Sequence, residues 1–167
     1  MKKLNLYTID SIYYQYISKF ENKLPQIYGS KSNRPFVGVI IEVDGSEFFA
    51  PLTSPKSKHQ KMKNREDFHK IEGGKLGAIN FNNMVPVPKE CLNKVNLKIS
   101  LMDSKKDKKY KRLMQNQKEW CNDNKKTLQV KGEKLYFKYV FKSLDEEVRK
   151  RCCDFVVMKI KCEEWVN

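Results

Sequence analysis

The sequence lacks the features that would direct a protein into a membrane or an oxidising compartment. No uninterrupted apolar run approaches the roughly 20 residues that a spanning helix needs. The Met1-Lys2-Lys3 start continues into Asn5, Thr8 and Asp10 rather than into the apolar core of a signal peptide. The 5 cysteines are an odd number and none forms a C-x-x-C pair. We therefore expect a cytoplasmic protein with reduced, buried cysteines and no membrane partner.

Motifs for metals and for nucleotide cofactors are also missing. The chain has no H-E-x-x-H motif and no paired carboxylates near its most basic loop. It has neither the phosphate-binding loop nor the dinucleotide glycine fingerprint. Neither of its 2 histidines, His59 and His69, lies near a cysteine in sequence. We therefore expect neither a metal nor a cofactor.

The composition favours an anionic partner. The chain has 34 Lys and Arg against 20 Asp and Glu, a formal net charge of +14 and a pI near 9.5. Such an excess of positive charge is typical of proteins that bind nucleic acid or another anionic surface. With 167 residues, 40% of them hydrophobic, the chain can bury one good core but not two. We expect a single domain over residues 1–167.

The first half of the chain has the pattern of a β-sheet. Residues 4–9 alternate between apolar and polar side chains, as a strand does, and Asp10 can then cap a helix. Residues 36–43 and 46–52 flank Asp44-Gly45, the kind of dipeptide that a type I′ hairpin turn prefers. Because residues 36–43 are almost continuously apolar, we expect their strand to be covered on both faces, near the centre of the sheet.

Two more strands and then helices are expected in the rest of the chain. Short strands are predicted at 76–81 and, as an edge segment, at 84–88; a long helix follows at 108–128 and a terminal helix begins at Asp145. We predict an α+β fold: a compact domain with a twisted, mostly antiparallel sheet and helices packed around it. One stripe of the long helix holds its least charged side chains: Tyr110, Leu113, Met114, Gln117, Trp120, Cys121, Asn124 and Leu128.

The loop after the second hairpin strand concentrates the groups able to do chemistry. Thr53 and Ser54 precede Pro55, Lys56 follows, and the stretch from Lys56 to Arg65 carries five Lys or Arg and no Asp or Glu. Hydroxyl donors, a lysine and a rigid turn suit phosphate binding. The structural alternative is that Thr53 and Ser54 simply cap a following helix, and the loop alone does not exclude it.

If this protein breaks a phosphodiester, the absence of metal motifs makes RNA the natural substrate, because the 2′-hydroxyl of RNA can attack the phosphorus and DNA lacks that nucleophile. The reaction needs a proton acceptor, cations around the crowded phosphorane and an acid for the leaving 5′-oxygen. Lys56 can hold the charge, and Thr53 and Ser54 can position the phosphate or the attacking hydroxyl. His59 titrates in the useful range and is the candidate acid or base.

Further candidates lie in the loop before the hairpin and on the basic surfaces. Tyr28 can relay or donate a proton, and Arg34 offers a fork of donors for phosphate. A lysine-rich helix face such as 105–112 can also serve only to keep a protein soluble, and that alternative stays open. The other candidate RNA-binding residues are Lys31, Lys58, Lys61, Lys63, Arg65, Lys111 and Arg112.

Several short segments occur together in a characteristic order. They are Leu6-Tyr7-Thr8-Ile9, Phe36-Val37-Gly38-Val39, Ala50-Pro51-Leu52-Thr53-Ser54-Pro55-Lys56, Leu76-Gly77-Ala78-Ile79-Asn80, Met84-Val85-Pro86 and Tyr110-Lys111-Arg112-Leu113. In this order the chain resembles the ToxN/AbiQ family of type III toxin–antitoxin and phage-abortive-infection endoribonucleases. The resemblance implies the fold of small toxin endoribonucleases and metal-independent cleavage of RNA that leaves a 2′,3′-cyclic phosphate. It also implies a partner, an inhibitory pseudoknot RNA that the toxin cuts from a repeated precursor, and closed protein–RNA assemblies.

The resemblance also implies site residues. Thr53, Ser54 and Lys56 fall on the family's Thr-Ser-Pro-Lys active-site motif, and His59 keeps the histidine that commonly follows it.

Two positions depart from the family pattern. The active-site lysine that precedes the family's Phe-Ile-Gly strand is matched here by Arg34, a poor proton acceptor because it stays protonated, and Lys31 is the alternative replacement. The family's tyrosine ahead of that lysine has changed its spacing, so Tyr28 is the nearest candidate.

Two other classes of function fit parts of the sequence. The net charge and the aromatic residues also suit a noncatalytic RNA-binding protein. A DNA-contacting regulator is disfavoured, because neither a helix-turn-helix nor zinc-ligand spacing is evident.

Overall fold

The computed structural model describes residues 3–27 and 33–165, and its first elements follow the predicted order. Strand β1 (Asn5–Ile9) leads into helix α1 (Ser11–Ser18). The Asp10 carboxylate caps this helix by accepting the backbone N–H groups of Ile12 and Tyr13 at 2.9 and 3.0 Å. The predicted N-terminal strand, cap and helix are thus confirmed.

The predicted hairpin lies at the centre of the sheet. Strands β2 (Phe36–Val43) and β3 (Ser46–Thr53) are joined by Asp44 and Gly45, whose φ values of 48° and 82° fit the left-handed turn that such hairpins prefer. The other strands are short: β4 (Phe68–Lys70), β5 (Ala78–Asn80), β6 (Val85–Pro86) and β7 (Leu92–Lys94). Within the described residues the sheet runs β4-β5-β3-β2-β1-β7, with β6 also paired to β3, and these pairings are antiparallel. The predicted α+β class is confirmed.

Five further helices follow the strands or connect them. They are α2 (Ser57–Lys61), α3 (Lys105–Asp123), α4 (Lys125–Val140), α5 (Glu146–Arg151) and α6 (Phe155–Glu163). The single helix predicted at 108–128 is in fact two, because Asn124 leaves the helical conformation at φ −105° and ψ 13°. The predicted terminal helix is also broken, since Asp154 caps a new helix by accepting the N–H of Val157 at 3.0 Å.

The core lies between the sheet and these helices. Helix α4 packs on β2, where Gly132 lets it approach the side chains of Ile40 and Ile41, and α6 packs on β3 and β6. All five cysteines lie in the described part of the chain as free thiols, four of them buried and Cys162 partly buried. Among the described residues, no helix has the length and apolar character needed to cross a bilayer.

Candidate active site

The predicted site loop connects the end of β3 to the start of α2. Thr53 is the last residue of β3, paired with Ala78 of β5, and its hydroxyl donates to the Ala78 carbonyl at 3.5 Å. Ser54 and Lys56 are exposed. Helix α2 begins at Ser57 with Lys56 as its N-cap residue. The alternative in which Thr53 and Ser54 cap this helix is therefore wrong.

His59 lies beneath this loop rather than on its surface. Only 3% of the residue is exposed, and its Nδ1 accepts the backbone N–H of Lys56 at 3.2 Å. Because Nδ1 is an acceptor, the ring proton of neutral His59 is on Nε2. Burial, together with the charges of Lys58 and Lys56, lowers the pKa of His59 below its ordinary value. The imidazole thus fixes the backbone that carries Lys56.

A cleft of about 520 Å³ opens beside the loop and brings several predicted residues together. Thr53, Ser54 and Lys56 line one side of it, and Arg34 lines the cleft with them. Arg34 is held there because the neighbouring Pro35 carbonyl accepts the backbone N–H of Leu52 at 2.9 Å, which anchors the residues before β2 to the end of β3. His59 is not among the residues that line the cleft.

The opposite wall belongs to α3 and was not assigned from the sequence. Lys106, Asp107, Tyr110 and Gln117 line it. The Asp107 carboxylate is turned toward the helix start, where it accepts the Ser104 hydroxyl at 2.7 Å. Burial raises the pKa of Tyr110 above its ordinary value despite the opposing charge of Arg34, so its phenol is a neutral donor at neutral pH.

Gln117 and Gly77 connect this wall to the site loop. The side-chain amide of Gln117 donates to the carbonyl of Leu76 at 2.8 Å and to that of Thr53 at 3.4 Å. Gly77 has a φ of +96°, and a Cβ atom there would stand 1.9 Å from the Thr53 carbonyl oxygen. The backbone of Thr53 is therefore in close contact with both α3 and the turn before β5.

Other predicted residues lie elsewhere. Lys58, Lys61, Lys63 and Arg65 are exposed on α2 and the loop after it, outside the cleft. Lys111 donates to the Asp103 carboxylate at 2.8 Å and to the Lys98 carbonyl at 2.9 Å, so its charge is paired. The last three predicted residues are Arg112, which is exposed outside the cleft, and Tyr28 and Lys31, which lie outside the described residues.

The sequence contains a partial signal for the missed wall of the cleft. Tyr110 and Gln117 belong to the predicted apolar stripe of the long helix, but periodicity alone does not distinguish a side chain in the core from one lining a cleft.

Within the described residues, His, Cys, Asp and Glu side chains form no group of three or more that could hold a metal ion.

Comparison with known proteins finds one family along nearly the whole chain. The family model for the toxin ToxN of type III toxin–antitoxin systems matches residues 5–163. The endoribonuclease ToxN of Bacillus thuringiensis subsp. kurstaki is 28% identical over 165 residues, which cover 95% of this chain and 82% of that protein. The endoribonuclease ToxN of Pectobacterium atrosepticum is 30% identical over 142 residues, 79% of each. The endoribonuclease AbiQ of Lactococcus lactis subsp. lactis is 29% identical over 168 residues, 95% of this chain and 87% of that protein.

Solved structures have the same fold. One, from work on a type III toxin inhibited by a non-coding RNA pseudoknot, is 27% identical with a TM-score of 0.79 over 98% of both chains. The structure of AbiQ, a lactococcal anti-phage endoribonuclease, superimposes with a TM-score of 0.82 over 98% of both chains at 24% identity. At that identity the likeness to AbiQ is evidence of fold alone.

Proposed function

This chain belongs to the ToxN toxin family of type III toxin–antitoxin systems, and we propose that it is an endoribonuclease whose active site is the cleft between the site loop and α3. One observation carries the proposal: the same cleft is lined by Thr53, Ser54, Lys56, Arg34 and Tyr110. Hydroxyls, cations and a neutral phenol are the groups that bind a phosphodiester and stabilise the charge that develops on it. A single domain would supply all of them.

The proposed reaction uses the 2′-hydroxyl of the RNA itself as nucleophile. The 2′-oxygen forms a bond to the adjacent phosphorus while the bond from phosphorus to the 5′-oxygen breaks, which leaves a 2′,3′-cyclic phosphate and a 5′-hydroxyl. The 2′-hydroxyl gives up its proton, and the leaving 5′-oxygen gains one. Lys56 and Arg34 hold the negative charge of the phosphorane, and Ser54 and Tyr110 donate hydrogen bonds that orient it.

We propose that this reaction needs no metal ion. The nucleophile belongs to the substrate, and Lys56 and Arg34 supply the positive charge that a metal ion would otherwise supply. Tyr28 stays a predicted proton donor. His59 is buried and its Nδ1 accepts the backbone N–H of Lys56, so the geometry favours a role in holding the Lys56 backbone over a role in proton transfer.

The proposed regulator is a folded RNA. Family membership supports inhibition by a pseudoknot RNA that the toxin processes from a repeated precursor, assembly with it into closed complexes and a role in phage defence in the cytoplasm. A 27% identical relative is described as selectively inhibited by such a pseudoknot. The exposed cations of α2 and the following loop are the proposed phosphate contacts: Lys58, Lys61, Lys63 and Arg65.

RNA cleavage in the presence of EDTA tests the enzymatic proposal. Purified protein should cut RNA to products with 2′,3′-cyclic phosphate ends, and Ser54→Ala or Lys56→Ala should slow cleavage by at least ~10²-fold if these groups act in the transition state. The matched controls are Ser57→Ala and Lys89→Ala, which remove the same groups outside the cleft. Expression of the active protein alone should arrest growth.

Each alternative predicts a different result in the same experiment. Loss of cleavage in EDTA, restored by added metal, would refute metal independence. Intact RNA of several sequences after long incubation, together with salt-sensitive binding, would identify a noncatalytic RNA-binding protein instead. Full activity in both cleft variants would reject the proposed site.

A further inference from the structure

Two backbone carbonyls near the site share one side-chain amide. Thr53 ends β3, and its pairing with Ala78 is the last at this end of the ladder between β3 and β5. The carbonyls of Thr53 and of Leu76, two residues before Ala78, both accept hydrogen bonds from Nε2 of Gln117, at 3.4 and 2.8 Å. Two carbonyl oxygens cannot pair with each other, so a donor from α3 connects them where the ladder ends.

The orientation of the Gln117 amide follows from this chemistry. Both partners only accept hydrogen bonds, so the NH₂ group must be the part of the amide that faces them. The side chain is held tightly there, because only 2% of Gln117 is exposed. The flipped amide would place its oxygen, which only accepts hydrogen bonds, against both carbonyls.

The same helix face carries other residues of the cleft. Tyr110 lies about two helical turns before Gln117, on the same side of α3, and both line the cleft with Thr53 and Ser54. The hydrogen bonds of Gln117 therefore connect the wall that bears Tyr110 to the backbone immediately before Ser54.

We infer that Gln117 is a positioning residue of the active site, whose amide sets the distance between the Thr53-Ser54 loop and the Tyr110 face of α3. The inference rests on the proposed function. Gln117 does not supply a reacting group; it acts through the Thr53 carbonyl and so through the placement of the two hydroxyls. Its loss should therefore affect the rate of the chemical step more than the binding of RNA.

Gln117→Met tests this, because methionine keeps the length and volume of the side chain but has no donor. We expect kcat to fall by about 10- to 100-fold, with KM changed less than about threefold, in a protein that is folded at the assay temperature by circular dichroism. Gln115→Met is the matched control. Gln115 lies on the same helix and donates to the Leu97 carbonyl at 2.8 Å, but it lies outside the cleft, and its variant should cleave RNA as the wild type does.

Gln117→Glu provides a readout that loss of packing alone does not give. An ionised carboxylate has no donor and would face two carbonyl oxygens, whereas a protonated one has a single O–H that can bond to Leu76. We expect kcat of this variant, as a fraction of the wild-type value at the same pH, to rise as the pH is lowered through the carboxyl pKa. The corresponding fraction for Gln117→Met should stay flat.

The outcomes separate this inference from the proposed function. Wild-type protein that does not cleave RNA would refute the proposed function itself. Wild-type protein that cleaves, with a folded Gln117→Met variant of unchanged kcat, would overturn only the role of Gln117, and so would a loss confined to KM. If Gln117→Met does not fold at the assay temperature, the pH dependence of Gln117→Glu decides: a rising fraction supports the role and a flat one overturns it.

Discussion

Replacing Gly77 by alanine tests the geometry on which the site depends. The new Cβ atom would stand 1.9 Å from the Thr53 carbonyl oxygen, whereas real Cβ contacts essentially never fall below 3.0 Å, so the two must separate by about 1 Å. This oxygen belongs to the backbone and cannot rotate away. Alanine must also adopt the φ of +96° that glycine has here, which costs about 1–2 kcal/mol.

Gly45→Ala is the matched control for this variant. Gly45 has a φ of +82°, but a Cβ atom there would meet nothing within 4 Å, so only the backbone penalty applies. We expect Gly45→Ala to lose about 1–2 kcal/mol and Gly77→Ala about 2–4 kcal/mol, the difference being the clash with Thr53. For a chain of this size each kcal/mol lowers Tm by about 2–4 °C, which thermal unfolding followed by circular dichroism resolves.

The two glycine variants should also differ in activity. A displacement of about 1 Å in the backbone that carries Thr53 and Ser54 should lower the rate of RNA cleavage by about 10²-fold, while Gly45→Ala cleaves at nearly the wild-type rate. Both rates are measured well below Tm. Equal stability and equal cleavage in the two variants would refute the close contact between Gly77 and Thr53 and its role in the site.

Three further predictions concern the charged and titrating groups. Burial and the nearby Lys131 ammonium lower the pKa of His69 to about 4, so as the pH falls the unfolded chain binds a proton at His69 before the folded chain does. The free energy of unfolding should therefore decrease by about 1–3 kcal/mol between pH 7 and pH 4. His69→Gln should make this pH dependence, measured by urea denaturation, less steep. His59→Asn keeps an acceptor near the Nδ1 position but does not titrate, so cleavage should stay within about tenfold of wild type if His59 only holds the Lys56 backbone. A loss of ~10²-fold or more would contradict this purely supporting role. Asp67 is 3% exposed and accepts two hydrogen bonds from Arg151 at 2.8 and 3.2 Å, so Asp67→Ala should cost about 1–3 kcal/mol in urea denaturation, and an unchanged midpoint would contradict this pairing.

Local sequence signals predicted the elements that local chemistry determines. The Asp44-Gly45 turn and the apolar strand before it placed the central hairpin, and the Asp10 carboxylate placed the start of α1. The breaks at Asn124 and Asp154 were missed because the apolar periodicity continues across both. Only the folded chain reveals them, through the non-helical backbone of Asn124 and the hydrogen bond that the Asp154 carboxylate accepts from the N–H of Val157.

The cleft was only half predictable for a related reason. Thr53, Ser54 and Lys56 adjoin one another in the sequence and form a recognisable chemical cluster, whereas Tyr110 and Gln117 are distant residues that resemble core positions of a helix. Their placement depends on how α3 packs against the end of the sheet, a long-range contact that no short pattern encodes.

The central claim is that the RNA's own 2′-hydroxyl attacks the phosphorus in this cleft. The most direct measurement is cleavage of a substrate, its cut site mapped beforehand, in which the single ribose bearing the attacking hydroxyl is replaced by 2′-deoxyribose. The proposed mechanism predicts that cutting at that bond is abolished while the modified RNA still competes with the unmodified RNA for binding. Cleavage of the modified bond at the unmodified rate would contradict it.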